Sequence, residues 1–237
     1  MIPRKIHYCW FGREAMPELA LKCIDSWHRF MPDYEYKLWN EDNFDVESTP
    51  YTKEAYEARM YAFVSDVARL MALKEEGGIY FDVDFEVYKP FDDLLHFKAF
   101  AGFEGSKYNP VMMGVIASEA DGEWVSEQLE AYKGRHFIVD GKEDLTTNVK
   151  FISERMCEQG FLPNGLEQEY KDLHIFPVDY FCPRLTTGEY LKGENTYCEH
   201  QGVVSTWKRK TWKSRVLSKM DPVLKTRLIL LKRKLIG

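Results

Sequence analysis

The stretch SDVARLMALKEEGGIYFDVDFEVYKP, residues 65–90, joins a helical pattern, a glycine stop and a strand pattern. Apolar residues recur at three- and four-residue steps before the two glycines, which predicts a single helix from near Thr52 to Gly77. Apolar and polar residues then alternate as far as Asp84, which predicts an extended strand. Because side chains alternate along a strand, those of Asp82 and Asp84 are expected on one face.

The aspartate pair carries the first chemical prediction. Carboxylates of Asp82 and Asp84 less than about 8 Å apart repel each other unless a cation or a proton lies between them. This arrangement predicts a divalent metal ion, Mn²⁺ or Mg²⁺, that both aspartates hold against a nucleotide phosphate. Asp-x-Asp pairs are common, and Asp66 with Arg69 alone would be read as a surface ion pair. The combination of all four residues is what indicates a site.

The order Ser-Asp-x-x-Arg, Gly-Gly, x-Tyr-x-Asp-x-Asp resembles the core motif of glycosyltransferase family 32. That family includes yeast-type initiating mannosyltransferases and bacterial capsule enzymes, and the clostridial glucosylating toxins are more distant relatives. The resemblance implies an α/β fold of the GT-A type: a Rossmann-like nucleotide-sugar-binding domain with a mixed, mainly parallel central sheet. It also implies a metal-dependent hexosyltransferase that retains the configuration at the anomeric carbon.

The resemblance also assigns roles to individual residues. Asp82 and Asp84 hold the metal ion, and Asp84 is expected to be the direct ligand. Asp66 and Arg69 lie beside the donor sugar, where the aspartate binds hydroxyls and the arginine binds a sugar or phosphate oxygen. Tyr80 contacts the nucleotide. The predicted catalytic residues are therefore Asp66, Arg69, Asp82 and Asp84.

A tryptophan near the N-terminus is the predicted base-binding residue. Residues 3–10 form a predicted strand that ends at Trp10, just before Gly12. The opening pattern Ile-His-x-x-Trp-x-Gly is similar to that of the family, where the resemblance implies that Trp10 stacks on the uracil or guanine of a UDP- or GDP-sugar. An isolated tryptophan could equally fill the core. Functional loops of parallel sheets follow the strands, so Trp10 and the aspartate pair are expected to border one crevice.

Two further regions supply predicted contacts to the donor and the metal. A helix is predicted to begin within residues 144–148, and Asn148 is assigned there to the sugar pocket, although Thr-Thr-Asn is also a common helix cap. His200 is the candidate third metal ligand, and Ser205 and Trp207 are assigned to nucleotide-sugar binding.

The C-terminal motif departs from the family pattern. Many members end their catalytic domain with Thr-Tyr, a His-His pair and Ser-Trp, and the tryptophan packs over the nucleotide in the toxins. This chain has Gln201 in place of the second histidine and an extra residue between Ser205 and Trp207. Whether His200, Glu199 or Ser205 touches the metal is therefore left open.

The charge distribution divides the chain at residue 208. The net charge is −6, and residues 208–237 hold eleven basic residues and one acidic residue, so the tail carries +10 and the rest −16. The predicted domains are accordingly a glycosyltransferase domain, residues 1–207, and a basic amphipathic tail, residues 208–237. Such a tail favours an anionic membrane surface as partner rather than nucleic acid. The alternative is a helix docked on its own acidic domain.

Several observations bear on localisation and acceptor. We find no apolar run of transmembrane length and no signal-peptide pattern, and the five cysteines are scattered as in reduced cytosolic proteins. These features predict a cytoplasmic enzyme, peripheral on the inner face of the membrane. The expected acceptor is a hydroxyl of a glycan or lipid-linked oligosaccharide in cell-surface polysaccharide or capsule synthesis.

Two other classes of protein also use a pair of aspartates. A haloacid-dehalogenase-like phosphatase attacks phosphorus with the first aspartate of Asp-x-Asp. Its pair usually lies near the start of the chain, whereas Asp82 lies a third of the way in, and its Ser/Thr and Lys motifs are not evident. The second alternative is a non-enzymatic module that binds carbohydrate or membrane and holds structural calcium.

Overall fold

The computed structural model describes residues 1–106 and 109–202. Its elements in chain order are β1 (Lys5–Cys9), α1 (Glu18–Phe30), β2 (Glu35–Trp39), α2 (Pro50–Glu57), α3 (Tyr61–Glu76), β3 (Gly78–Phe81), β4 (Phe85–Val87), a 3₁₀ turn (Asp92–Leu94), β5 (Ala99–Gly102), β6 (Val115–Ser118), α4 (Glu123–Glu130), β7 (Ile138–Val139), β8 (Lys142–Glu143), α5 (Asn148–Glu158), β9 (Gln168–Tyr170), β10 (Leu173–Phe176), α6 (Val178–Phe181) and β11 (Cys198–His200). The predicted boundary at residue 207 and the basic tail lie outside the described residues, so both stay predictions.

The central sheet has seven strands within the described residues, in the order β2-β1-β3-β6-β5-β10-β9. Neighbours pair in parallel at β1–β2, β1–β3 and β5–β10. β6 is antiparallel to both of its neighbours, and β9 is antiparallel to β10. Five of these strands therefore run in one direction, which confirms the predicted mixed, mainly parallel α/β fold of the GT-A type.

The core lies between this sheet and helix α1. Trp27 of α1 is fully buried and stacks on Phe81 of β3, with ring centroids 5.2 Å apart. Its indole N–H donates to the carbonyl of Phe85 at 2.7 Å. Burying a side chain of this size stabilises the fold by roughly 2–3 kcal/mol. The contact also fixes α1 beneath the segment that carries the aspartate pair.

The single helix predicted from Thr52 to Gly77 is wrong, because two helices occupy this stretch. α2 begins after Thr49, whose hydroxyl accepts from the backbone N–H of Thr52 at 3.1 Å. It ends at Glu57, and two residues later Arg59, a non-glycine residue, has φ of 60°. The N–H of Met60 then donates back to the carbonyl of Ala55 at 2.8 Å. Left-handed backbone and this back-donation end a helix even without glycine.

Helix α3 does end at the predicted glycines, and its C-terminal end contacts strand β1 of the sheet. Gly77 and Gly78 have φ of 62° and 118°, and a Cβ on Gly78 would lie 2.6 Å from the carbonyl of Lys5. His7 of β1 holds the same point: its Nδ1 accepts from the indole N–H of Trp39 at 3.0 Å, and its Nε2 donates to the Gly77 carbonyl at 2.8 Å. The face of α3 is thereby fixed relative to β1 and β3.

The strand predicted through Asp84 is also wrong. β3 stops at Phe81, and residues 82–84 form a turn that leads into β4. The N–H of Asp82 donates to the carbonyl of Gly114 at 2.7 Å, whereas β4 leaves the central sheet and pairs with β11. The two aspartates therefore share a turn rather than one face of a strand.

Two whole-chain expectations can be compared with the described residues. All five cysteines lie in the described part of the chain and are free thiols. Within residues 1–106 and 109–202, no helix is both long enough and apolar enough to cross a membrane.

Candidate active site

The candidate site lies at the edge of the sheet where the parallel strands β1 and β3 end. Trp10 follows β1, and Asp82 follows β3, the strand next to it. β6 runs the opposite way, so the residues that precede it, Met113 and Gly114, reach the same edge. The edge thus combines three chain segments that are far apart in the sequence.

Arg69 connects helix α3 to the turn after β3. It lies three positions after Asp66, which places both side chains on one helix face. Arg69 Nη2 lies 3.0 Å from Asp66 Oδ1 and 3.3 Å from Asp82 Oδ1. Its Nη1 donates to the carbonyl of Met113 at 2.6 Å, and its Nε donates to that of Ser65 at 3.1 Å. All three guanidinium nitrogens are therefore engaged.

Burial shifts the pKa values of the two aspartates next to Arg69. The side chains of Asp66 and Arg69 are only 9% and 5% exposed. Burial raises the pKa of Asp66 to about 7, against the opposing charge of Arg69. Burial also raises the pKa of Asp82. The charge of Arg69 acts to lower that pKa, and the charge of Asp84 acts to raise it further. Asp66 can therefore accept a hydrogen bond as a carboxylate or donate one as an acid near neutral pH.

Asp82 has one engaged oxygen and one that faces the turn. Its Oδ1 accepts from the Tyr80 hydroxyl at 2.8 Å as well as lying near Arg69. The guanidinium of Arg69 also lies 4.6 Å from the centre of the Tyr80 ring. Oδ2 lies next to Gly114, where an added Cβ would come within 3.0 Å of it. The side chain is 37% exposed, so the carboxylate is open to a ligand.

Asp84 is held by the pairing of β4 with β11. Its Oδ2 lies 3.2 Å from Nε2 of His200, and its backbone carbonyl accepts from the N–H of Gln201 at 2.8 Å. The ring of Phe85 packs on that of His200, with centroids 5.1 Å apart. Burial lowers the pKa of His200, but the hydrogen bond and charge of Asp84, with the charges of Asp82 and Glu104, outweigh it and raise that pKa.

The residues on either side of His200 form a separate network. Glu199 is buried, and its carboxylate accepts from the hydroxyls of Tyr190 and Tyr88 at 2.6 and 3.1 Å and from Arg184 at 2.6 Å. The side-chain amide of Gln201 donates to Glu86 Oε2 at 2.7 Å. Of His200 and Glu199, His200 is thus the one that faces Asp84, whereas Ser205 lies outside the described residues.

The residues present fit a divalent ion bound together with a diphosphate. Within the described part of the chain, no group of three or more His, Cys, Asp or Glu side chains is arranged to hold a metal ion. Mg²⁺ and similar ions need no such cage, because one or two carboxylates and the substrate phosphates hold them. Asp82 and Asp84 supply oxygen ligands of this kind, and the side chain of Asp82 is partly exposed.

The loop that carries Trp10 is tightly fixed. The N–H of Gly12 donates to the carboxylate of Glu41 at 2.6 Å, and a Cβ at Gly12, whose φ is 99°, would lie 2.3 Å from the ring of Tyr61. Trp10 itself is half-buried, and its indole N–H donates to the Glu14 carbonyl at 2.6 Å. Its role in base stacking stays a prediction.

The remaining predicted residues are Asn148, Ser205 and Trp207. Thr147, rather than Asn148, caps α5, and its hydroxyl accepts from the N–H of Lys150 at 3.3 Å. Asn148 Oδ1 accepts from the N–H of Val149 at 2.7 Å, and its Nδ2 is buried without a hydrogen-bond partner in the described part of the chain. Ser205 and Trp207 lie outside the described residues.

Sequence reasoning missed Met113 and Gly114. Phe103, which follows β5, forms an isolated bridge with Val111, whereas Ala99 of β5 pairs with Ser118 of β6. The pairing register shifts between these two points, so residues 112–114 form a bulge. The bulge presents the two carbonyls that accept from Arg69 and from the N–H of Asp82. The only sequence signal is a glycine inside an apolar run, a pattern typical of bulges.

Comparison with known proteins identifies the class to which this site belongs. Residues 17–101, which include Asp66, Arg69, Asp82 and Asp84, match the family model described as a glycosyltransferase sugar-binding region containing a DXD motif. The predicted resemblance is therefore confirmed over this part of the chain, which is similar to the sugar-binding region of DXD glycosyltransferases.

Particular proteins are similar to part of the chain. The chain is 34% identical over 102 residues to inositol phosphoceramide mannosyltransferase 3 of Schizosaccharomyces pombe, which covers 41% of this chain and 28% of the relative. It is 52% identical over 132 residues to glucan organizing enzyme 1 of Cryptococcus neoformans var. grubii, covering 48% and 35%. It is 28% identical over 123 residues to the subversion of eukaryotic traffic protein A of Legionella pneumophila, covering 40% and 19%. The chain thus matches well under half the length of each of these relatives.

Solved glycosyltransferase structures show a looser similarity. The PaToxG glycosyltransferase has a TM-score of 0.46 and 20% identity, over 54% of this chain and 59% of that chain. A glycosyltransferase involved in glycosylation of the major capsid of PBCV-1 has a TM-score of 0.44 and 12% identity, over 84% and 94%. The fold assignment rests on the order and direction of the strands, not on these values.

Proposed function

We propose that this protein is a metal-dependent, retaining glycosyltransferase that moves a hexose from a UDP- or GDP-linked donor to a hydroxyl of a glycan or lipid-linked acceptor. The observation that supports this most strongly is the position of Arg69 between Asp66 and Asp82 inside the matched sugar-binding region. The match to a sugar-binding region also favours this function over the phosphatase and the calcium-binding module.

The reaction breaks the bond between the anomeric carbon and the diphosphate oxygen and forms one to the acceptor oxygen, whose proton passes to the departing diphosphate. Asp66 binds hydroxyls of the donor hexose, as acceptor or donor, because its pKa of about 7 makes both forms available. Arg69 is fully charged, and it binds a sugar or phosphate oxygen while it keeps Asp82 in place. A divalent ion held by Asp82 and Asp84 would neutralise charge on the leaving diphosphate.

The test is a screen of donor hydrolysis, measured as released nucleotide, across UDP- and GDP-hexoses with Mn²⁺ or with EDTA. We expect one donor class to be hydrolysed only with metal. Asp82→Asn and Asp84→Asn should abolish this turnover, because each loses a ligand charge at constant shape. The matched control is Asp121→Asn, at an exposed residue beyond the opposite end of β6. Near wild-type turnover in either site variant would contradict the assignment, and release of inorganic phosphate alone would indicate a phosphatase.

Base binding by Trp10 is part of the same proposal. Its position after β1 and its half-buried state support this. Trp10→Ala should weaken binding of free UDP or GDP by roughly 1–3 kcal/mol. If calorimetric titration shows that Trp10→Ala binds UDP or GDP with unchanged affinity, Trp10 packs in the core and does not stack on the base.

We also propose that the basic tail, residues 208–237, holds the enzyme on the inner face of the membrane, where it would serve synthesis of a cell-surface polysaccharide such as a capsule. Opposite net charges of +10 in the tail and −16 in the remaining residues support this. Removing residues 213–237 should abolish flotation with anionic liposomes and leave donor hydrolysis intact. Equal flotation of both proteins, or of neither, would contradict it.

A further inference from the structure

Glu104 is a carboxylate at the same edge of the sheet as Asp82, and the proposed reaction leaves it without a role. It follows β5, which runs parallel to β3 because both strands pair antiparallel with β6. The residue is half-buried, yet no hydrogen bond or ion pair engages its carboxylate in residues 1–106 and 109–202. Its two oxygens are not among the fully enclosed, unpartnered atoms of these residues, so both keep accessible surface.

Backbone pairing fixes where Glu104 lies relative to the aspartate pair. Its N–H donates to the carbonyl of Pro110 at 2.8 Å, and Phe103 bridges Val111, so the ladder of β5 continues as far as Glu104. Only β6 separates β5 from β3. Because neighbouring strands lie about 4.8 Å apart, Glu104 and Asp82 follow strands that are about 10 Å apart at one edge. This separation leaves room for a substrate group between them.

The side chain of Glu104 lies on the face of the sheet that β11 covers. Side chains alternate along a strand, so Glu104 shares its face with Gly102. A Cβ added to Gly102 would lie 2.7 Å from the ring of Phe181, and the carbonyl of Phe181 accepts from the thiol of Cys198 in β11 at 3.7 Å. β11 ends at His200, the residue that faces Asp84. Glu104 is therefore on the same side of the sheet as this pair.

Arg69 reaches the same edge from the other face of the sheet. Phe81 belongs to the core cluster that contains Phe181, whereas Tyr80, its neighbour on β3, points the opposite way. The guanidinium of Arg69 lies 4.6 Å from the centre of the Tyr80 ring. The arginine that we assign to the donor and Glu104 thus flank the turn of residues 82–84 from opposite faces. This placement suits Glu104 to a second substrate rather than to the donor sugar.

The chemistry of Glu104 selects a neutral group that carries hydroxyls. An ionised carboxylate only accepts hydrogen bonds, and the hydroxyls of a sugar donate them. A diphosphate or another anion would be repelled, because this edge already holds Asp82 and Asp84. Of the two substrates, the acceptor is therefore the one that Glu104 can bind.

We propose that Glu104 is an acceptor-binding residue, which accepts a hydrogen bond from a hydroxyl of a neutral sugar unit of the acceptor and holds that unit against the donor. This inference rests on the proposed function. It gives Glu104 no part in proton transfer, since the acceptor proton passes to the departing diphosphate. A neutral unit is selected because a uronate there would lie beside the three carboxylates of Glu104, Asp82 and Asp84.

The experiment measures the fate of the donor hexose, as the ratio of sugar transferred to an added acceptor to sugar released into water. The probes are the methyl glycosides of glucose, mannose and galactose, each supplied with the donor that the wild type hydrolyses. We expect the wild type to glycosylate at least one probe. Glu104→Gln removes the charge at constant shape and should lower the ratio about tenfold or more, the effect of losing a hydrogen bond to a charged group.

The charge of Glu104 gives a second readout. The methyl glycoside of glucuronic acid should be a poorer acceptor than methyl glucoside for the wild type, and Glu104→Gln should narrow that difference. The matched control is Glu158→Gln, at an exposed residue at the end of α5, which should match the wild type in both readouts. Because the carboxylate of Glu104 has no partner in the described part of the chain, Glu104→Gln should also melt at the wild-type temperature.

Each outcome bears on a different claim. A ratio that is the same in Glu104→Gln and in the wild type would overturn the inference alone. A wild type that hydrolyses the donor but glycosylates none of the probes, or that uses the glucuronide as well as the glucoside, would overturn it as well. A wild type that hydrolyses no nucleotide sugar would overturn the proposed function itself.

Discussion

The guanidinium of Arg69 lies 3.3 Å from the carboxylate of Asp82, although the two residues belong to different elements. The arginine is 5% exposed, and burial, which lowers its pKa, is outweighed by the charge of Asp82, which raises it. Arg69 is therefore always charged, and it holds one oxygen of Asp82. It thereby links helix α3 to the turn after β3.

This relationship predicts a large stability effect at Arg69. Arg69→Met should lower the free energy of unfolding at pH 7.5 by about 3–5 kcal/mol, because it leaves buried carboxylates without their counter-charge. Urea unfolding measures this. Adding Asp66→Asn to Arg69→Met should restore part of the loss. A Met variant as stable as the wild type would mean that the guanidinium does not compensate these carboxylates.

Gly114 should tolerate no side chain. A Cβ there would lie 2.5 Å from the ring of Phe85 and 3.0 Å from Oδ2 of Asp82, so Gly114→Ala must displace the turn that carries the aspartate pair. We expect a loss of stability of about 1–3 kcal/mol and a much larger loss of donor hydrolysis. Gly193→Ala is the control, since the nearest atom there is 4.0 Å from the added Cβ. Equal activity of the two alanine variants would contradict the packing described for Gly114.

Asp66 should make stability depend on pH. Its folded pKa is about 7 because of burial, whereas an unfolded aspartate titrates near 3.9. Between about pH 4 and 7 the folded protein keeps a proton that the unfolded chain releases, so stability falls as pH rises, by up to about 1.4 kcal/mol per pH unit. Above pH 7 this contribution is lost.

The measurement is the difference in unfolding free energy between the wild type and Asp66→Asn, in EDTA, from pH 4 to 8. The difference should decline up to about pH 7 and then level off. Burial lowers the pKa of His7, so this residue makes stability rise with pH. Because His7 is present in both proteins, its contribution cancels in the difference. A difference that stays constant over this range would show that Asp66 is not protonated in the folded state.

The sequence was sufficient for the order of elements and for the motif, because both depend on local patterns. Alternation and glycines predicted β3 and the end of α3, and the spacing of Asp66 and Arg69 predicted a shared face. The reading of these two as a surface pair was the alternative that failed, since both are buried. Their burial depends on β6 and on the helices that flank α3, which no local pattern reveals.

The end of β3 and the break between α2 and α3 could not be predicted from local patterns. The strand does not continue to Asp84 because the carbonyl of Gly114 accepts from Asp82 and because β4 pairs with β11, whose His200 lies opposite Phe85. The helix break at Arg59 required a left-handed conformation that arginine rarely adopts. Helical propensity alone favours an unbroken helix there.

The central claim is that the turn of residues 82–84 binds a metal ion together with a nucleotide diphosphate. Calorimetric titration of the metal-free protein with UDP and with GDP, in Mn²⁺ and in EDTA, tests it most directly. We predict that one nucleotide binds at least about 100-fold more tightly with Mn²⁺ than with EDTA, and that Asp84→Asn abolishes this difference while Asp121→Asn keeps it. Equal affinity with and without Mn²⁺, or an Asp84→Asn variant that behaves like the wild type, would contradict the claim.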